Sequence, residues 1–162
     1  MSFSRQQGSL VCDGVPLADA AAAHGTPLYV YSAATIAARY RAVDDAFDSY
    51  PHTVHYALKA NSTLAIVRLL RSLGSKVDAN SGGEIDVALR AGFIPPEIVF
   101  TGVGKTPAEL VQAIDLGVKT ISGGMNPARS ATSISPPELA STLLPRLRNR
   151  RTIASAELAL SA

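Results

Sequence analysis

Thr53-Val54-His55-Tyr56-Ala57-Leu58-Lys59-Ala60-Asn61 is a short β-branched and apolar run that ends on a lysine and gives way to a stretch of helical period. The alternation recurs down the chain. Strand-like runs span Thr53 to Leu58, Lys76 to Ala79, Ile98 to Thr101 and Val118 to Ile121, so their starts fall 23, 22 and 20 residues apart. Strand followed by helix at such an interval is the pattern of β/α units laid into a parallel sheet. Units this even and compact predict an α/β fold of the β/α (TIM-type) barrel kind. Three to four units cannot close a barrel, so the expectation is an incomplete one with an open edge and a large uncovered face.

Each intervening helix has a readable buried stripe. Ile66, Leu69, Leu70 and Leu73 fall at i, i+3, i+4 and i+7, and Gly74 stands at the stop. Ile85, Ala88 and Leu89 form the next stripe, ended by Gly92 and begun by Ser81-Gly82-Gly83-Glu84. That tetrad fits a capping box, in which a hydroxyl and a carboxylate satisfy free backbone N–H groups. Thr106-Pro107-Ala108-Glu109 is a second box, with Leu110, Ala113 and Ile114 inward and Gly117 closing the helix. Upstream, Ala33 to Tyr50 predicts an amphipathic helix with Ile36, Tyr40, Val43 and Phe47 on one side. Pro27 to Tyr31 is a short extended run, and Leu17 to His24 a weaker, Ala-rich helix.

Composition narrows the class. A chain of 162 residues that is 47% hydrophobic has the size of one domain and enough apolar material for a core. It has no apolar run of roughly 20 residues, and Met1 to Gln7 has no signal-type segment, so a cytoplasmic protein with no membrane partner is expected. Cys12 is the single cysteine and has no internal disulfide partner. The net charge of +2 is uneven: residues 1–122 hold 10 Lys/Arg and 11 Asp/Glu, whereas 123–162 hold 5 Arg and 2 Glu. Arg146, Arg148, Arg150 and Arg151 have no interleaved aromatics and no framing motif, so no nucleic-acid partner is expected. The periodicity dissolves beyond Ser122, leaving only short helices expected around Leu139 to Leu144 and Ala154 to Leu160. The expected organisation is therefore a partial barrel over 1–122 and a divergent Ser/Pro/Arg-containing tail over 123–162. The change of composition points to a tail read from a shifted frame or joined to unrelated sequence.

Lys59 follows an apolar strand and precedes a helix, which places it at the C-terminal rim of a β/α sheet, where barrel active sites lie. A lysine that attacks a carbonyl needs its amine deprotonated by burial or a neighbouring cation, and an apolar strand end can supply burial. The competing reading is a solvated surface lysine. By the period of two, His55 shares a face with Ala57 and Lys59, where packing is the favoured role. His24 and His52 read as helix-end or loop residues, and no His, Cys or carboxylate pair has metal-ligand spacing. Gly102-Val103-Gly104-Lys105-Thr106 suggests a phosphate loop, but Val99 and Pro107 stand where the named nucleotide motifs need small residues. Lys105 is left as an anion partner or a rim lysine.

Three segments in register carry a family resemblance: Tyr56-Ala57-Leu58-Lys59-Ala60-Asn61-Ser62, Val77-Asp78-Ala79-Asn80-Ser81-Gly82-Gly83-Glu84 and Ile98 to Thr106. Together with Gly25-Thr26-Pro27-Leu28-Tyr29-Val30-Tyr31 they resemble the diaminopimelate decarboxylases, across residues 8 to 121 and about the opening third of a family member. The resemblance implies an alanine-racemase-like barrel with a C-terminal β domain, a homodimer, and pyridoxal phosphate held by Lys59 as a Schiff base. It implies decarboxylation of meso-diaminopimelate to L-lysine, a small-molecule amino-acid substrate, with ornithine or arginine as the alternatives. Asp78 would lie near Lys59 and the cofactor, against the plainer reading of a turn carboxylate. Ser81 and Glu84 would also line the cofactor pocket, although capping explains both. The chain has no counterpart of the family's later phosphate-binding turn, ring-stacking histidine or substrate-site cysteine and tyrosine. Little or no activity is thus expected from it alone, and a non-catalytic cofactor-binding module or a non-functional piece are the competing readings.

Overall fold

The structure, a computed structural model, describes residues 2–122. The tail, with its two expected short helices and its arginines, lies outside the described residues.

The chain opens with an antiparallel meander that the sequence reading did not foresee: β1 (Phe3–Gln6), β2 (Ser9–Cys12) and β3 (Val15–Pro16). Phe3 pairs with Cys12 and Gln6 with Ser9, so only Gln7 and Gly8 form the first turn. Both have positive φ, 48° and 84°, and Asp13 and Gly14 repeat this at 49° and 85°. Two successive left-handed residues twist a hairpin in the sense its strands require, and Asp-Gly is a strong signal for it. α1 (Leu17–His24) follows as expected.

α2 (Ala33–Ala46) is tied to the meander at its start. Ser32 Oγ accepts from Thr35 N at 3.0 Å and donates to Asp13 Oδ1 at 2.8 Å, while Asp13 Oδ2 accepts from Ala34 N at 3.1 Å. These bonds, that from Ala34 foremost, hold the Asp13 carboxyl below its ordinary pKa. The helix ends at Ala46, short of the expected Tyr50. Asp44, Asp45 and Asp48 cluster where the helix dipole is negative, and the last turn itself carries no basic residue to offset them. Only half of the expected stripe is covered. Tyr40 and Ile36 pack with Ile66 and Leu70, whereas Val43 and Phe47 are exposed.

The second sheet is parallel, with strands β4 (His55–Ala57), β5 (Lys76–Ala79), β6 (Ile98–Phe100) and β7 (Thr120–Ile121) in sequential order. A doubly wound sheet reverses its order, whereas a barrel adds each strand on the same side, and this sheet does the latter. Between the strands lie α3 (Leu64–Ser72), α4 (Gly82–Ala91) and α5 (Pro107–Leu116), matching the three stripes read from the sequence. β5 has its expected bounds, whereas β4, β6 and β7 are shorter than expected, Leu58 turning into a 3-10 segment (Leu58–Ala60) and Val118 preceding β7.

The core lies between this sheet and its helices. Val77, Ala79, Ile98 and Phe100 project into it from the strands and meet Val67, Ile85 and Ala113 from the three helices. Gly92 and Gly117 end α4 and α5 in the left-handed conformation, their N–H groups bonded to Ala88 and Leu89, and to Ala113 and Ile114. Among the described residues, no helix is long and apolar enough to cross a membrane.

Candidate active site

Alternation along the strands sets two faces. Val77 and Ala79 are fully buried against the helices, so Lys76 and Asp78 between them project to the opposite face. Parallel register carries that face across the sheet, since Ala57 pairs with Asp78 and Asp78 with Val99. In a closed barrel this face would look inward; among the described residues four strands leave it open.

Lys59 sits at the C-terminal end of β4, in the 3-10 segment, two residues past Ala57. Leu58 is driven fully into the core, and Lys59 is left exposed beside it. The turn is closed around the lysine by Tyr56 Oη, which donates to Asn61 O at 3.0 Å, and Asn61 Oδ1 accepts from Thr63 N at 2.9 Å. Burial raises the Tyr56 pKa, which keeps the phenol protonated as that donor. Among the described residues the Lys59 amine has no hydrogen-bond or ion-pair partner.

Asp78 is held from the next strand. Thr101 Oγ donates to Asp78 Oδ1 at 2.5 Å, and Asn80 Nδ2 donates to Thr101 Oγ at 2.5 Å. Asn80 is fixed in turn, its backbone N–H donating to Glu84 Oε2 at 2.7 Å. Ser81 Oγ accepts from Glu84 N at 3.2 Å, as half of the expected capping box. The other half differs: the Glu84 carboxylate bonds Asn80 N, one residue before the cap, and Gly82 N goes to Glu109 Oε1 at 2.9 Å. Ser81 and Glu84 are thus both engaged with the backbone at the head of α4. Asn80 and Thr101 were not singled out in the sequence. The signal lay in the period of two from Asp78 and in Thr101's place at the end of the next strand.

His55 is exposed on the open face rather than packed. Partial desolvation, then Lys76, push its pKa below the ordinary value, with Asp78 opposing. Lys105 departs furthest from its expected place on the rim, because only 2% of it is exposed. Its Nζ donates to the carbonyls of Gly102 and Ser122 and lies 5.1 Å from the Phe100 ring centroid. It ties the end of β6 to the end of β7 and has no open side to offer an anion. Burial lowers its pKa, against the attraction of Asp78 and Glu109. Among the described residues, no group of three His, Cys, Asp or Glu is placed to hold a metal ion.

Residues 33–126 match the family model of the pyridoxal-dependent decarboxylases, pyridoxal binding domain, over more than half of the chain. The chain belongs to this family. Diaminopimelate decarboxylase of Vibrio cholerae is 47% identical over 115 residues, which are 71% of this chain and 28% of that protein. That of Pseudomonas fluorescens is 44% identical over 117 residues, 72% of this chain and 28% of the relative. Among solved structures, the diaminopimelate decarboxylase of M. jannaschii in complex with L-lysine superposes with a TM-score of 0.69 at 34% identity, covering 75% of this chain and 29% of that one. The lysine/ornithine decarboxylase of Vibrio vulnificus gives 0.57 at 27% identity, covering 65% and 29%. This member of the decarboxylase family therefore spans under a third of the length of these relatives. The likeness confirms the α/β, partial-barrel reading of the described residues.

Proposed function

We propose that this chain supplies the lysine-bearing opening of a pyridoxal-phosphate-dependent amino-acid decarboxylase of the diaminopimelate type, with Lys59 as the attachment residue. The observation that carries the reading is the placement of Lys59: an amine without a partner among the described residues, fixed by the Tyr56 to Asn61 bond at the C-terminal end of β4, beside the strand that bears Asp78. When bound, pyridoxal phosphate supplies an electron sink for the pair released as the α-carboxylate leaves.

The residues present fit the lysine-bonded end of that group. Lys59 Nζ would be the nucleophile toward a carbonyl, and Asp78, on the neighbouring strand and held through Oδ1 by Thr101, is the candidate carboxylate to balance positive charge there. Ser81 and Glu84 act by holding the head of α4 and Asn80 in place. Of the three helices between the strands, only α3 begins without a side-chain cap and so leaves its N-terminus for the phosphate end. The N-termini of α4 and α5 are already filled by Ser81 and Glu109, and by Thr106 and Glu109. This favours, as a second reading, a chain that takes the cofactor weakly and does not turn over alone.

By the same resemblance, the substrate is meso-diaminopimelate, with ornithine or arginine as alternatives, and the product L-lysine. The functional form is a cytoplasmic homodimer. Within residues 1–122 the barrel portion is the parallel sheet β4–β7 with its helices. To test the reading, the 162-residue chain is mixed with pyridoxal phosphate, reduced with borohydride and mapped by peptide mass. A covalent adduct at Lys59, absent in Lys59→Ala, is the expected result. An adduct spread over surface lysines sinks the proposal. L-lysine release from diaminopimelate then separates an enzyme from a cofactor-binding module.

A further inference from the structure

The apolar stripe of α2 outruns its cover. Tyr40 packs against α3, but Val43 and Phe47 further along are 48% and 53% exposed, and Tyr50 in the following turn is 71% exposed. Tyr50 N donates to Phe47 O at 2.8 Å, and the His52 ring lies 5.7 Å from that of Phe47, so these side chains gather at one end of the helix. A gathered apolar patch, unlike scattered exposed residues, marks a surface that takes a partner. Its edge is acidic. Asp44 bonds His52 beside the Phe47 ring, and Asp48 is near enough to favour the imidazolium of the same histidine. Asp48 is exposed and has no ion-pair partner among the described residues. The patch therefore suits a segment that is apolar and cationic at once. A second copy of the same patch suits it poorly, because carboxylates would meet carboxylates.

A segment of that kind stands in the chain itself, outside the described residues. Leu143-Leu144-Pro145-Arg146-Leu147-Arg148-Asn149-Arg150-Arg151 combines three leucines with four arginines and holds no acidic residue. We propose that this segment docks on the patch of Val43, Phe47 and Tyr50 at the C-terminal end of α2, with its guanidinium groups toward Asp44 and Asp48. The leucines remove apolar surface from water, and arginine, the one basic residue type in the segment, also packs flat on aromatic rings such as those of Phe47 and Tyr50. Reach is no obstacle. The described chain ends at Ser122, just past β7, and the 20 residues from Gly123 to Thr142 can span up to roughly 70 Å. A folded unit of about 120 residues has a radius of gyration of about 14 Å, so the whole of its surface lies within that span. The proposal does not rest on the reading of Lys59.

The test places a nitroxide at Asn149→Cys in the full 162-residue chain, Cys12 being buried away from the label, and follows broadening of resonances by NMR. Broadening is expected to concentrate on Val43, Phe47 and Tyr50. It should fall by roughly half or more when salt rises from about 0.01 M to about 1 M, which shortens the screening length from roughly 30 Å to roughly 3 Å. Asp48→Lys, which leaves the pair of Asp44 and His52 in place, should weaken it as far. So should serine at all four arginine positions of the segment, a variant that alters no residue of the described core and decides where Asp48→Lys does not fold. Broadening that is absent, or spread evenly over the surface, overturns the proposal. Broadening indifferent to salt and to both variants overturns it too, since charge would then have no part in the docking. Mixing spin-labelled chain with isotope-enriched, unlabelled chain should leave the enriched patch sharp; broadening there assigns the patch to another molecule and overturns docking within one chain.

Discussion

Glu109, on α5, accepts the backbone N–H of Gly82 at the head of α4 through Oε1 at 2.9 Å, while its Oε2 accepts from Thr106 N and Thr106 Oγ, each at 2.9 Å. One carboxylate thus caps its own helix and the preceding one, so consecutive β/α units share a polar joint above their common core. Gly82 is part of the joint. A Cβ there would lie 2.7 Å from Gln112 Oε1 and 3.2 Å from Glu109 Cγ, so the approach of α5 depends on a residue without one. Glu109→Ala strands three donors and should lower stability by roughly 2 kcal/mol, at the upper end of what a single cap contributes. Urea unfolding measures it, and Glu109→Gln, which keeps an acceptor in reach, should lose less than half as much. Equal losses would mean that charge rather than hydrogen bonding holds the joint.

A second expectation concerns pH. His52 Nδ1 lies 2.8 Å from Tyr50 O, and its Nε2 lies 3.0 Å from Asp44 Oδ1, contacts that favour the imidazolium and raise its pKa above the ordinary 6.5. A folded-state pKa above the unfolded one gives stability that is fully present below about 6.5 and lost as pH rises through the raised value. An NMR titration of the His52 ring should give a midpoint above 6.5, and Asp44→Asn should move it down. The pair closes the segment between the end of α2 and β4, so the variant should also loosen amide protection around Tyr50. A midpoint indifferent to Asp44→Asn would show that the Tyr50 carbonyl alone sets it.

What the sequence disclosed and what it hid have physical reasons. Lys76 to Ala79 was read with its observed bounds because Val77 and Ala79 alternate with polar residues, and Gly92 and Gly117 mark helix ends because only left-handed residues close them. The place of Lys59 at the end of β4 was legible because it follows an apolar run. The meander was missed although Gln7-Gly8 and Asp13-Gly14 announce its turns, since its strands, of two to four residues, are too short for periodicity to register. Thr101 and Asn80 escaped notice because their pairing joins residues 21 apart, which no local pattern encodes. His55 and Lys105 exchanged the places expected of them. Burial of a lysine requires two carbonyls to converge on it, and convergence is a property of the fold.

That buried lysine gives the last expectation. Burial lowers the Lys105 pKa from 10.5 in the folded chain, so just below 10.5 the unfolded chain holds more proton than the folded one. Stability should therefore rise with pH through that window, being fully present above 10.5 and lost as pH falls through the lowered value. Lys105→Met keeps much of the apolar length over Phe100 and removes the titrating amine. Urea unfolding at several pH values just below 10.5 should show a steeper upward slope in the natural chain than in the methionine variant. Tyr40 and Tyr56, whose pKa values are raised by burial, pull stability the other way near pH 10, but they are common to both chains and cancel in the difference. The variant should in addition lose the clamp between Gly102 and Ser122, so exchange of the Ser122 amide, bonded to Phe100 O at 2.9 Å, should accelerate. A slope as steep without the amine as with it would place the protonation linkage on another group.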